Sequence, residues 1–291
     1  MSALPASLFA SPVTLLRLGR VSNLPTVWTN VAAATVLAGG ALTSTTTLLA
    51  ILAMSLFYVA GMYLNDAFDR EWDARERPTR PIPAGEIKAW TVFAAGFGML
   101  VLGLVLMPLS DPRVTAAGTA LAGLIILYDW WHKGNPLSPV LMAGCRVLVY
   151  VVAGAMASQA LPPTLLIAAT AMLAHVAGLT YAAKQETLDR LGSQWPLVLL
   201  AIPLLSMLPM LWSGLVPALA WLGLATVDVL AVQRLRRRSQ HGDVPWAIAN
   251  LIAAISLVDA LLVVGQAPTV ALLCGCGYVI TLILQRYVVG T

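Results

Sequence analysis

The sequence predicts an all-α integral membrane protein, and three observations lead to that class. Of the 291 residues, 59% are hydrophobic and only 10% charged, with a mean hydropathy of +0.84, far too apolar for a soluble domain. Apolar runs of about 17–22 residues recur along the whole chain, each long enough for a hydrocarbon core of about 30 Å. The basic residues gather in alternate loops, those that fall on one side of the membrane, which is the topology signal of a polytopic protein. The net charge of +4 is therefore read as positive-inside bias, and no nucleic-acid partner is expected.

Ten spans are predicted. The first, 24–42, follows Arg17 and Arg20, on a lead-in without the pattern of a cleavable signal. The second, 46–66, ends at Asn65-Asp66 and gives way to a polar loop carrying Arg70, Arg75, Arg77, Arg80 and Lys88. Spans 92–110 and 114–130 enclose a short loop with Arg113, and Lys133 follows the second of them. Span 137–158 contains Arg146, and 162–183 runs into Lys184 and Arg190. Spans 196–212 and 214–232 precede Arg234 to Arg238, and 247–265 and 268–286 complete the set, with Arg286 at the last end. This distribution puts both termini and the three long polar loops, about 67–90, 184–195 and 233–246, in the cytoplasm, with the protein in the cell (inner) membrane. Four spans separate the first two polar loops, so the halves are read as parallel repeats. The whole chain, 1–291, is read as a single polytopic domain. Cys145, Cys274 and Cys276 all fall in apolar segments, which argues for packing rather than a disulfide framework or a zinc site.

The first polar mouth carries the chemistry. In Asn65-Asp66-Ala-Phe-Asp69-Arg-Glu-Trp-Asp73, the three aspartates fall at roughly 0°, 300° and 340° around a helix. They share one face, and carboxylates so crowded repel unless a cation lies among them. Mg²⁺ suits this donor set, because it takes one or two carboxylates and completes its shell with substrate phosphate oxygens. Asp66 and Asp69 are the primary candidates, with Asp73 for a second ion and Asn65 for a ligand contact. The following Arg77-Pro-Thr-Arg80-Pro-Ile-Pro cannot continue a helix and offers guanidinium groups to phosphate. Acids for a metal and bases for an anion at a membrane mouth describe a diphosphate site. The plainer alternative is a solvated loop whose charges fix topology.

In the second mouth, Tyr181, Gln185 and Asp189 form an i, i+4, i+8 stripe with Lys184 beside it. Asp189 is the expected metal ligand and Lys184 the expected phosphate contact. Glu186 would point about 140° from Tyr181 on a continuing helix, so it serves as a ligand only where the backbone opens. Arg146, a charge inside a span, is expected to line a cavity, bind an anion or pair with an acid such as Asp228. His175 and Asp259 are expected to make hydrogen-bonded helix contacts. Arg236-Arg237-Arg238 is read as a headgroup anchor.

The motif Asn65-Asp66-x-x-Asp69-x-x-x-Asp73, followed by Arg-Pro-x-Arg-Pro-Ile-x-x-Gly, resembles the first aspartate-rich motif of UbiA-type intramembrane prenyltransferases. The lead-in Arg20-Val-Ser-Asn23-Leu-Pro-Thr-Val is similar to the opening of that family's first helix. The resemblance covers roughly residues 15–265 and implies a bundle of nine to ten helices around a central cavity open to the cytoplasmic side. Residues 268–286 are then an added C-terminal helix. It also implies Mg²⁺ bridging two acidic motifs to an isoprenyl diphosphate. Gln185 stands where the family's second motif has its first aspartate, as in the EboC-type branch.

The expected function is Mg²⁺-dependent transfer of an isoprenyl group from an allylic diphosphate to a lipophilic acceptor within the membrane. Asp66, Asp69 and Asp189 are the expected catalytic residues, and Asp66, Asp69, Asp73, Glu186 and Asp189 the expected metal ligands. Asn23, Asn65, Arg77, Arg80, Lys133, Arg146, Tyr181, Lys184 and Gln185 are the expected substrate contacts, with Tyr181 orienting the cation. The competing expectation is a prenyl-diphosphate binder or transporter of the same fold with weakened catalysis. Membrane lipids are the surrounding partners, and no obligate protein partner is implied.

Overall fold

The computed structural model describes residues 11–185, 192–240, 242–288 and 290, and among them every regular element is helical. In chain order these are α1 (Pro12–Leu18), α2 (Leu24–Leu37), α3 (Thr45–Phe68), α4 (Arg70–Glu76), α5 (Ala89–Val105), α6 (Pro112–Trp131) and α7 (Ser138–Ala157). There follow α8 (Pro163–Ala183), α9 (Pro196–Ser206), α10 (Leu215–Arg237), α11 (Asp243–Ala253), α12 (Ile255–Val263) and α13 (Pro268–Leu284). Six stretches are long and apolar enough to cross a membrane: α3, α6, α7, α8, α10 and the joined α11–α12, while α5, α9 and α13 are shorter apolar helices. Each of the ten predicted spans coincides with a helix or a helix pair.

Local chemistry sets the helix starts. Ser11, Ser44 and Asp111 place side-chain oxygens on the first free N–H groups of α1, α3 and α6, and proline occupies the first turn of α1, α2, α6, α7, α8, α9 and α13. Where the structure shortens an expected span, the backbone supplies the reason. α2 stops at Leu37 instead of 42 because Gly39 takes a left-handed conformation (φ +81°). The span expected over 196–212 ends as a helix at Ser206, and Leu208–Trp212 continues as a 3₁₀ turn around Pro209.

Sequential helices pack as neighbours from α5 to α13, and α2 lies against α3, α7, α12 and α13, closing the bundle. α3 and α5 approach closely: a Cβ on Gly96 would lie 2.8 Å from Leu64, and one on Gly103 would lie 3.1 Å from the Phe57 ring. Small residues at such crossings are what lets helices pack where no hydrophobic driving force separates protein from lipid. Phe57, Met54, Tyr150 and Met172 fill the interior. The outward faces carry exposed Leu48, Leu52, Phe97, Val101, Leu222 and Leu273, as a lipid-facing surface requires. Of the cysteines, Cys274 is buried, Cys145 half-buried and Cys276 exposed, and all three are free; the expectation that all three pack inside fails for Cys276.

Candidate active site at the acidic mouth

The acidic face forms where α3 hands over to α4. Asp69 is the C-cap of α3 and begins α4 with near-helical angles (φ −79°, ψ −3°), so the helical face carries on across the joint. Asp66, Asp69 and Asp73 are all buried, at 5%, 6% and 1% exposure, so the shared face turns inward rather than to solvent. α4 ends at Glu76 because Pro78 excludes helical angles from Arg77 (φ −140°, ψ 60°). The loop that follows folds back over the acids. Its far end is tied to α1, where Thr14 Oγ1 donates to Glu86 at 2.6 Å and Arg17 lies 3.6 Å from the same carboxylate.

Cations line the acids from three elements. Arg80 Nη1 contacts Asp66 Oδ1 and Asp73 Oδ2, both at 3.0 Å. Arg20 Nη2 donates to Asp66 Oδ1 at 3.0 Å. From the end of α6, Lys133 Nζ lies 3.0 Å and His132 Nε2 3.3 Å from Asp69 Oδ2. Burial alone would raise the Asp69 carboxyl, yet His132 and Lys133 hold it below its usual value. Asp73 moves the other way: burial pushes its carboxyl up, and the charges of Asp69 and Asp66 add to that shift against Arg80. Asp73 Oδ1 is buried with no hydrogen-bond partner. The site is thus short of positive charge at Asp73.

That shortage is the test of fit for Mg²⁺. Among the described residues no three acid, histidine or cysteine side chains converge as a complete metal cage. A hard cation that takes one or two carboxylates and draws its other ligands from water and phosphate needs no such cage. The all-oxygen donors of Asp66, Asp69 and Asp73, with one buried carboxylate oxygen unpartnered, fit that ion. Glu186 and Asp189 lie outside the described residues.

Below the mouth is a small apolar chamber of about 80 Å³, lined on α3 by Met54, Phe57, Tyr58, Gly61 and Met62, with α2, α6 and α7 supplying the other walls. Helical rise places Met54 about 18 Å below Asp66. The polar groups in its wall are Tyr58, Tyr128, Asp129 and Arg146. Mouth and chamber are joined by two contacts, Asn65 Nδ2 to Asp129 Oδ1 at 3.2 Å and Arg20 Nη1 to Met62 Sδ at 3.3 Å.

The expected substrate contacts divide into two sets. Asn65, Arg80 and Lys133 are at the acids, and Arg146 lines the chamber. Arg146 does not pair with Asp228; it donates to Asn30 Oδ1 (2.8 Å) and Thr26 Oγ1 (3.1 Å), whereas Asp228 faces a groove between α9 and α10. Arg77 is exposed over the Trp72 ring at 5.7 Å. Asn23 accepts from Gln285 (2.9 Å) and donates to the carbonyl of Gly290 (2.9 Å), next to the C-terminus. Tyr181 donates to the Pro136 carbonyl, and Lys184 to Asn135 O and Ser138 Oγ. Gln185 Oε1 accepts from the N–H groups of Gly192 and Ser193, closing the ends of the second polar loop. His175 and Asp259 make the helix contacts expected of them, to Leu251 O and to Asn30 and Tyr150.

Arg20, His132, Tyr58, Tyr128 and Asp129 were not anticipated. The signal for the last was present: Asp129 is an acid inside a predicted span, one turn before Lys133, and intramembrane acids are functional candidates by default. Arg80→Lys is expected to lower the thermal stability of the detergent-solubilised protein by about 1–2 kcal/mol, because the shorter lysine cannot bring its strongly hydrated ammonium to the point where Nη1 meets both carboxylates without strain.

The family model for the UbiA prenyltransferase family matches residues 25–251. Among relatives, digeranylgeranylglyceryl phosphate synthase of Methanoregula boonei is 32% identical over 132 residues, covering 45% of this chain and 47% of that protein. Protoheme IX farnesyltransferase of Bacillus pumilus is 32% identical over 91 residues, 30% of this chain and 29% of that one. The chain spans about half or less of the length of the curated relatives it matches. Among solved structures, a digeranylgeranylglyceryl phosphate synthase superposes with a TM-score of 0.61 at 20% identity, over 87% of this chain and 97% of that one. A UbiA homologue from Archaeoglobus fulgidus bound to GPP and Mg²⁺ gives 0.56 at 13% identity, over 94% and 97%. These likenesses share the fold, and the family match spans most of the sequence: the chain belongs to the UbiA prenyltransferase family.

Proposed function

We propose that this multi-pass membrane protein transfers an isoprenyl group from an allylic diphosphate to a lipophilic acceptor, with Mg²⁺ holding the diphosphate at the acidic mouth. The observation that carries this reading is the stacking of two unlike spaces: three inward-facing carboxylates with their cations at the rim, and an apolar chamber directly beneath. A prenyl diphosphate has the same two halves. The relatives' names and the GPP and Mg²⁺ of the Archaeoglobus structure support the same class of donor. The basic loops support a mouth on the cytoplasmic side.

In this reading Asp66 and Asp69, with Asp73 and the second-loop Asp189 and Glu186, would hold Mg²⁺, which would supply charge stabilisation at the departing diphosphate. Arg80, Arg20 and Lys133 stand where negative charge builds on the leaving group. Arg77, Lys184 and Tyr181 would serve the outer parts of the substrate path, while Asn23 and Gln185 act through the segments they fasten. The walls of Met54, Phe57, Leu121 and Ile125 take the tail and keep water from the allylic cation. Gly61 lines that wall, and a Cβ there would already lie 3.3 Å from Ile125. Gly61→Leu is therefore expected to weaken geranylgeranyl diphosphate binding about tenfold or more, and geranyl diphosphate less, measured by competition with radiolabelled donor.

The direct test is purified protein with radiolabelled geranyl, farnesyl and geranylgeranyl diphosphates, with Mg²⁺ or with chelator, across a broad acceptor panel. Mg²⁺-dependent diphosphate release supports transfer. One observation favours a second reading: Gln185 is engaged by the backbone of its own loop. Mg²⁺-dependent binding without diphosphate release would identify a prenyl-diphosphate binder instead.

A further inference from the structure

Asp129 is 3% exposed and lines the chamber immediately below the mouth. Its Oδ1 accepts from Asn65, whose neighbour Asp66 belongs to the acidic rim, and its Oδ2 has no hydrogen-bond partner. A buried carboxyl oxygen without a donor costs free energy, so this wall suits a ligand that brings a donor of its own. If the diphosphate lies among Asp66, Asp69 and Arg80 and the tail lies against Phe57 and Met54, the bond between them falls at the level of Asn65 and Asp129. The unpartnered oxygen is then at the height of the reacting carbon. Arg146, the cation in the chamber wall, already donates to Asn30 and Thr26, so the wall favours a neutral donor over an anionic acceptor head.

We propose that Asp129 takes the proton of the acceptor, and that the acceptor attacks through a hydroxyl. This rests on the prenyl-transfer reading and names its acceptor chemistry. The allylic C1–O bond breaks and its electron pair leaves with the diphosphate. A lone pair of the acceptor oxygen forms the new C1–O bond. The acceptor O–H bond breaks, its proton passes to Asp129 Oδ2, and its pair remains on the ether oxygen. Asn65 holds the other carboxylate oxygen and so fixes the direction of the free one. Asp129 gives its proton to water when the mouth rehydrates on product release.

The test uses the full chain in detergent, radiolabelled geranylgeranyl diphosphate with Mg²⁺, and total lipid of the source membranes as acceptor, with the product linkage identified by mass spectrometry. The wild type is expected to give an ether. Asp129→Asn retains the shape and is expected to bind the donor within about twofold of wild type while single-turnover transfer falls about 100-fold. Asp129→Glu is expected to recover part of the rate, since it restores a carboxylate. Transfer by Asp129→Asn within threefold of wild type, a carbon-linked product, or a loss of donor affinity matching the loss of rate would each overturn the proposal. A wild type that binds donor but makes no product removes the prenyl-transfer reading itself, and an Asp66→Ala variant with wild-type donor affinity removes the rim site; both outcomes are distinct from failure at Asp129.

Discussion

Asp66→Ala is expected to reduce Mg²⁺-dependent diphosphate release by about 10³-fold, the equivalent of several kcal/mol of lost charge stabilisation at the leaving group. Asp69→Ala is expected to match it. Asp66 is the point on which two guanidinium groups converge, Arg20 from the start of the bundle and Arg80 from the loop after α4. Its removal therefore unsettles the anion-binding groups as well as a metal ligand. Asp69 has a separate set of partners in His132 and Lys133, so the two variants damage the site by different routes and share only the metal. Donor affinity with and without Mg²⁺ separates these effects: the wild-type difference between the two conditions is expected to vanish in both variants. Glu71, 81% exposed in its side chain and paired with Arg70, is the control on the adjoining helix α4. Glu71→Ala is expected to leave release unchanged, since exposed pairs contribute little. Full activity of Asp66→Ala or Asp69→Ala would refute the assignment.

The bundle and the acidic face were legible because both rest on local rules. Hydropathy and loop charge locate the spans, and a 100° helical step puts three aspartates on one side whatever the tertiary context. Partner identity was not legible in the same way. Arg80 and Lys133 are expected substrate contacts, and in the structure both meet carboxylates. Arg20 enters the sequence reading as a topology charge and as the start of the lead-in motif, with no site role, yet it reaches Asp66 across 46 positions of sequence. Helical spacing says which residues share a face, but not which helix that face meets. Arg146 shows the same limit: an intramembrane charge announces a partner, and an acid was the natural guess. The partner is instead an amide, Asn30, on α2. Gln185 is an expected substrate contact, and its side chain instead closes a loop, a role set by tertiary proximity to Gly192 and Ser193.

Asn30→Leu is expected to destabilise the bundle by about 3–5 kcal/mol, read as unfolding free energy in detergent. Asn30 is fully buried; its Oδ1 accepts from Arg146, and its Nδ2 donates to both oxygens of Asp259 at 2.9 and 2.8 Å. One amide thus stands between a guanidinium and a carboxylate, offering each the atom it needs. Leucine keeps the branched outline and, being larger, leaves no cavity, so the loss reports unpaired polar groups and crowding rather than an empty space. Ordinary interhelical hydrogen bonds in membranes average only about 0.6 kcal/mol, because the unfolded chain in lipid finds other partners. Thr29, which donates to Ser256 at 3.1 Å, belongs to that ordinary class, and Thr29→Val is expected to cost about 1 kcal/mol or less. The much larger figure at Asn30 follows from weakening two ionisable groups at once, since Arg146 and Asp259 both lose the amide that bridges them. The double variant Asn30→Leu/Asp259→Leu removes the stranded acid along with the amide, and is expected to recover part of the loss that Asn30→Leu alone produces. A double variant less stable than the two single losses added together would show that the amide is not the bridge the geometry implies.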